Sequence, residues 1–316
     1  MDIYTMEKIG VSKVVIPKIT TAQMIEVDRL MMEDYKISLI QMMENAGRCL
    51  AILAIEKFLK KQLDTKKVIV LAGTGGNGGG ALVCARRLHS WGVNVEVYLT
   101  GDAKRMTPVP KHQLVILQQI GLPIKSGIKL PTTHSADLII DGIIGYSIKG
   151  DPFGVPKEMI DWANKQFIPI LSLDTPSGLG LTTGKVHSPT IKATATLTLA
   201  LPKKGLFEKT AKAVIGNLYL GDISVPPRLY KEDSLNIEVS PLLFSQADIL
   251  LIKPTIMSTK KGKKKVDKKK KKVNDKGKKK SNKKLKKADK GKKKKDKKKK
   301  KVNKKGKKKK STKKKK

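Results

Sequence analysis

Apolar residues along the chain fall into two recurring patterns. Short unbroken runs at 68–71, 93–100, 136–145, 168–173, 193–201 and 216–220 read as strands covered on both faces, with a weaker strand near Pro123. Between them, apolar positions recur at helical spacing over 20–34, 38–60, 77–91, 108–120 and 155–165. Thr20 with Gln23, and Ser38 with Gln41, supply capping-box starts for the first two helices. Met24, Val27, Leu30 and Met31 form the apolar stripe of the first. Strands alternating with helices predict right-handed crossovers, and so an α/β domain with a largely parallel sheet and helices on both faces. Residues 1–19 lack periodicity and are expected to form an extended lead-in, residues 20–250 the domain, and residues 251–316 a separate tail.

One rim of that sheet collects the chemistry. The strand at 68–71 runs into a glycine turn in which Gly73, Gly75 and Gly78 stand at G-x-G-x-x-G spacing before a helix. Such a turn can bring backbone N–H groups and a helix N-terminus up to a phosphate, which makes a nucleotide-like ligand the first hypothesis. Its alternative role is a tight turn with close helix-to-strand packing. An ordinary dinucleotide site expects an acidic residue about 20 residues further on. Here the next strand ends in Thr100, with Glu96 inside it and Asp102 just beyond, so that contact is not clearly present.

Ligands of open parallel sheets bind outside the carboxyl ends of the strands. The glycine loop, Asp141 with its loop, and Asp174 with its loop all leave such ends. A carboxylate at the mouth of an apolar strand is costly unless it is paired, hydrogen-bonded or used on a ligand or cation. Capping a helix or closing a turn is the competing role for each. Ser177 reads as a local turn residue and Lys149 as a solvated one on the same terms. Glu44 and Asn45 interrupt the apolar helix at 38–60, and read equally as solvated positions and as groups aimed at a site or a dimer seam.

Charge changes the picture only at one end. The net charge of +41 is concentrated in residues 260–316, where 38 Lys and four Asp leave only +7 for the rest. That lysine run has no aromatics and is expected to be disordered, attracting nucleic acid or other polyanions without sequence readout. A solubilising extension is the alternative. Residues 1–18 show no secretory h-region, and no run of about 18 apolar residues predicts a membrane span. Cys49 and Cys84 sit in helical patterns outside any C-x-x-C pair, which suits buried thiols in a reducing, cytoplasmic setting. His89, His112, His134 and His187 show no metal-ligand spacing and read as incidental.

Several stretches together resemble the YjeF N-terminal domain family, the NAD(P)H-hydrate epimerases. They are Thr21-Ala-Gln-Met24, Met43-Glu-Asn-Ala-Gly47, Gly73-Thr-Gly-Gly-Asn-Gly-Gly79, Ile140-Asp-Gly-Ile-Ile-Gly145, Asp174-Thr-Pro-Ser-Gly178 and Pro202-Lys-Lys-Gly-Leu206. The resemblance covers residues 20–228 and implies a Rossmann-like three-layer α/β/α fold, often a homodimer. It implies a substrate, NADHX or NADPHX, that is NADH or NADPH hydrated at the C5=C6 bond of the nicotinamide. Its R and S epimers at C6 would be interconverted, so that an S-specific dehydratase can restore the cofactor. Carried over by position, Asn77, Asp141 and Ser177 match the ligands of one K+ per subunit. Gly76, Asn77, Gly78, Gly79, Gly80, Gly145, Tyr146, Ser147, Ile148, Lys149, Gly150, Asp151 and Asp174 match substrate contacts. Asp174 is then expected as the general acid/base and Lys149 as the group that steadies charge on the cofactor.

The family loop usually reads G-x-G-N-N-G-G-D-G, whereas this chain has Gly76 for the first Asn, Gly80 for the Asp and Ala81 for the last Gly. After residue 250 the chain runs into the lysine-rich stretch where many family members carry a dehydratase domain, so the dehydratase is expected on a separate protein. Three functions stay open: the epimerase, a catalytically silent scaffold of this fold acting in RNA metabolism, and a dehydrogenase using the glycine turn. No Ser/Tyr/Lys or His/Asp hydride-transfer constellation accompanies the third.

Overall fold

The computed structural model describes residues 8–60, 62–126, 130 and 135–253. The chain divides into Met1–Met257 and Ser258–Lys316, and the second unit, with the expected disorder of the tail, lies outside the described residues, as does His134.

Among the described residues nine strands make one sheet. In chain order they are β1 (Ile9–Val11), β2 (Lys67–Ala72), β3 (Asn94–Leu99), β4 (Ile124–Ser126), β5 (Leu138–Gly142), β6 (Ile170–Leu173), β7 (Ala195–Leu199), β8 (Asn217–Gly221) and β9 (Ile249–Leu251). Their order across the sheet is β1-β9-β8-β7-β6-β5-β2-β3-β4. All neighbours pair in parallel except β8 with β9. The sheet is therefore largely parallel, as the apolar runs predict. β1 and β9 are additions: each is three residues long, too short for a periodic signal, and they find each other only through the fold.

The α-helices among the described residues are α1 (Thr21–Arg29), α2 (Leu39–Ala54), α3 (Gly76–Ser90), α4 (Pro108–Gln119) and α5 (Gly154–Lys165). Both capping boxes form: Thr20 Oγ1 accepts from the Gln23 amide at 3.1 Å, and Gln41 Oε1 accepts from the Ser38 amide at 2.8 Å. Alternation within β2 sorts the layers. Val68, Val70 and Ala72 pack with residues of α2, α3 and α4, while Ile69 and Leu71 pack with Met159, Ile160 and Ala163 of α5. Cys49 and Cys84 are buried free thiols, and burial pushes the Cys49 thiol up to about 12.

The interruption at Glu44 has a structural answer. Its carboxylate takes both oxygens to Arg86 Nη2 at 2.6 Å and accepts from Gln113 Nε2 at 3.0 Å, tying α2 to α3 and α4. Nearby, α2 and α3 cross so closely that a Cβ on Gly47 would stand 2.4 Å from Val83 Cβ and 2.6 Å from the Gly80 carbonyl oxygen. Gly47→Ala is accordingly expected to cost about 1–3 kcal/mol of stability through overpacking, read as a lower urea midpoint at unchanged slope.

Candidate active site

β2 lies between β3 and β5, so the chain leaves β2 one way, through β3 and β4, and returns on its other side as β5. That reversal opens a crevice at the carboxyl ends of the strands. A cavity of about 510 Å³ lies there, lined among others by Gly75, Gly76, Asn77, Gly80, Gly145, Tyr146, Ser147, Asp174 and Lys203. Its volume is in the range of small-molecule and cofactor sites.

The glycine loop builds one wall. A Cβ on Gly73 would sit 2.0 Å from the Ile143 carbonyl oxygen, so only glycine lets the β2 and β5 loops touch. Gly75 begins α3 with no side-chain cap, which leaves first-turn amides for a ligand. Gly76, Asn77 and Gly80 line the cavity, whereas Gly78 and Gly79 are buried and do not. The two departures from the family loop differ in kind. Gly76 faces open space, while a Cβ on Gly80 would meet Leu173 Cδ2 at 2.6 Å.

Asp174 follows β6 in the left-handed region at φ 62°, where short polar side chains are tolerated better than most. Its amide donates to the Leu197 carbonyl at 2.7 Å, which fixes the turn against β7. Lys203 Nζ meets Asp174 Oδ1 at 2.5 Å, with side chains only 1% and 6% exposed. Lys203 also donates to the Leu199 carbonyl at 3.1 Å and to Thr198 Oγ1 at 3.4 Å, while Thr198 Oγ1 lies 3.3 Å from Asp174 Oδ1. A parallel bridge between Ile19 and Lys203, with the Ile19 amide on the Pro202 carbonyl at 3.0 Å, holds this lysine just ahead of α1. In the sequence Lys203 stands out only as part of the Pro202-Lys-Lys-Gly-Leu206 motif; Lys204, its neighbour, is exposed.

Lys149 is exposed and outside the cavity lining, as are Gly150 and Asp151; Ile148 is half-buried and also outside it. The ammonium at the cavity is that of Lys203. Asp151 instead accepts from the Ser188 amide at 3.2 Å and contacts His187 Nδ1 at 2.8 Å, and His187 holds its carboxyl below the usual carboxylate range. His187, read as incidental, thus anchors the loop after β5.

Asp141 and Ser177 lie behind the cavity wall, both fully buried. Asp141 accepts from Ser177 Oγ at 2.5 Å, the Ser177 amide at 2.9 Å, Ser172 Oγ at 2.7 Å and the Ile143 amide at 3.2 Å. Burial pushes its carboxyl up against those four bonds, and among the described residues no cationic side chain pairs with it. Ser177 Oγ accepts from the Ile144 amide at 2.8 Å. Asn77 donates through Nδ2 to the Leu173 carbonyl at 3.1 Å, which leaves its Oδ1 3.6 Å from where a Gly145 Cβ would stand. The three residues thus gather round 144–145. Their carboxylate, hydroxyl and amide oxygens are the donor types that a hard cation takes. Among the described residues no three His, Cys, Asp or Glu side chains group for a transition metal.

A family model described as YjeF-related protein N-terminus matches residues 39–205. The chain belongs to the YjeF-related N-terminal family. Among relatives, an NAD(P)H-hydrate epimerase of Dehalogenimonas lykanthroporepellens is 40% identical over 228 residues, 72% of this chain and 90% of the relative. An NAD(P)H-hydrate epimerase of Entamoeba histolytica is 29% identical, covering 70% of this chain and 99% of the relative. A bifunctional NAD(P)H-hydrate repair enzyme of Moorella thermoacetica is 34% identical, and the match spans 42% of its length. The crystal structure of the yeast protein YNL200c superposes with a TM-score of 0.62 at 25% identity, over 75% of this chain and all of that one. Every strand that bounds the cavity from β2 to β7 lies inside the matched family segment.

The buried ion pair makes a stability claim. Lys203→Met removes the ammonium and leaves Asp174 without its charge partner, which is expected to cost about 3 kcal/mol, measured by urea unfolding against Lys204→Met, which is expected to be near neutral.

Proposed function

We propose that this YjeF-related chain is an NAD(P)H-hydrate epimerase, an isomerase that interconverts the R and S forms of NADHX or NADPHX in nicotinamide nucleotide repair. The observation that carries the reading is the Asp174 carboxylate, held by a buried lysine and open on a cofactor-sized cavity, in a chain 40% identical to a protein of that name.

The chemistry follows from what C6 bears. The ring nitrogen lone pair expels the C6 hydroxyl once its oxygen is protonated, and water re-adds to the opposite face of the iminium. Asp174 exchanges the proton with that oxygen as general acid/base. Lys203 keeps the carboxylate in place and offsets its charge where both side chains are almost wholly buried. First-turn amides of α3 suit the pyrophosphate, and Gly145, Tyr146 and Ser147 border the nicotinamide end. Asn77, Asp141 and Ser177 would hold one K+ per subunit, which would supply positive charge beside the substrate and compensate Asp141. Changes at Gly76 and Gly80 remove two polar side chains from the loop but leave the Asp174–Lys203 pair intact, so the scaffold reading is not favoured.

Further parts of the reading go beyond the domain. We place the protein in the cytoplasm, where the buried thiols of Cys49 and Cys84 stay reduced; among the described residues no helix is long and apolar enough to cross a membrane. It would act as a homodimer, passing the S epimer to a dehydratase on a separate protein. Residues 260–316, with a net charge of +34, would bind nucleic acid through counterion release.

Mixed R and S NADHX with an S-specific dehydratase tests the activity. The chain is expected to speed recovery of NADH from the R fraction, more so in K+ than in tetramethylammonium, and Asp174→Asn to lower kcat at least about 100-fold. Unchanged R-fraction kinetics with the chain present would refute the activity. For the tail, salt-sensitive RNA binding by the full chain should vanish on truncation at Ser258, in a filter-binding titration; retained binding would show another surface responsible.

A further inference from the structure

Inversion at C6 poses a problem that one carboxylate does not solve. The hydroxyl leaves from one face of the ring and water arrives on the other, so a proton must be given on one side and taken on the other. A second carboxylate borders the same cavity. Asp28 stands on α1 at the stripe position between Val27 and Met31, where an apolar residue would be expected. Tyr146, from the loop after β5, donates to Asp28 Oδ2 at 2.8 Å. Both line the cavity with Asp174 and Lys203. Burial pushes the Asp28 carboxyl up, while the Tyr146 hydroxyl and the Lys203 charge pull it back and the Asp174 charge adds to the rise. Tyr230 is the other titratable neighbour that feels Asp28.

We propose that Asp28, positioned by Tyr146, is the second proton-carrying group of the site and serves the ring face opposite to Asp174. The inference rests on the epimerase reading. In one direction the acid form of Asp28 gives its proton to the C6 oxygen, the C–O bond breaks with its electron pair leaving as water, and the N1 lone pair forms the iminium. Water then adds at C6 from the other face, the iminium electrons return to N1, and the surplus proton passes to the Asp174 carboxylate. The pair now stands in the state that catalyses the reverse inversion, and exchange with solvent resets it. Tyr146 orients the carboxyl and does not itself touch C6. Asn in place of Asp28 keeps the acceptor for Tyr146 but carries no exchangeable acid proton, which separates chemistry from packing.

The test compares kcat and KM for R-NADHX, in the coupled dehydratase assay, for the full chain, Asp28→Asn, Tyr146→Phe and Asp28→Ala with and without formate. The expected result is a kcat at least about 100-fold lower in Asp28→Asn with KM changed less than about threefold. Tyr146→Phe is expected to fall about tenfold, and formate to restore about tenfold to Asp28→Ala. Full kcat in Asp28→Asn, a change in KM alone, or a kcat loss that formate leaves untouched would overturn the assignment. Absence of acceleration by the unmodified chain would fail the epimerase reading itself, and the inference with it, before any variant is compared.

Discussion

The site depends on a carboxylate and an ammonium placed 2.5 Å apart and almost wholly out of water, Asp174 with Lys203. Neither tolerates that position alone, since an unpaired buried charge costs several kcal/mol. Each partner is delivered by a different part of the chain. Asp174 sits in a left-handed turn at the end of β6, tied to β7 by its amide, while Lys203 follows β7 and is pinned to Ile19 ahead of α1. Closing the pair therefore draws the start of the domain onto the rim of the sheet, where α1 in turn presents Asp28.

A second carboxylate organises the loops behind the cavity. Asp141 gathers donors from β6, from the loop after β6 and from its own loop, and Ser177 then holds the Ile144 amide. This stitching fixes residues 143–147 against the glycine loop, where Gly73 permits contact with the Ile143 carbonyl. The two acids differ in consequence. Asp174 has a lysine and opens on the cavity, whereas Asp141 has four hydrogen bonds and, among the described residues, no cationic partner.

Legibility in the sequence followed physical range. Strands covered on both faces, such as β2 and β5, write themselves as unbroken apolar runs, and the helices carry caps at Thr20 and Ser38 that form as spaced. Asp141 stands out because it cuts an apolar run, and Asp174 because it ends one. Lys203 does not, because two adjacent lysines look alike until the bridge to Ile19 buries one and leaves the other exposed. Asp28 left a trace, a charge inside an apolar stripe, that gains meaning only beside Tyr146. Lys149, which only the family resemblance points to, stands outside the cavity. Glu44 and His187 are explained by partners on other elements, Arg86 and Asp151, which no local pattern announces.

The central claim is that this rim moves protons onto and off the oxygen at C6, so that the C6–O bond breaks in every inversion. Its most direct measurement is epimerisation of R-NADHX by the full chain in 18O-labelled water, with the isotope at C6 read by mass spectrometry of the S product. One labelled oxygen gained per inversion, above the rate without protein, is the result this account expects. Inversion that keeps the original oxygen would contradict it, since a bond at C6 other than C6–O would then have broken.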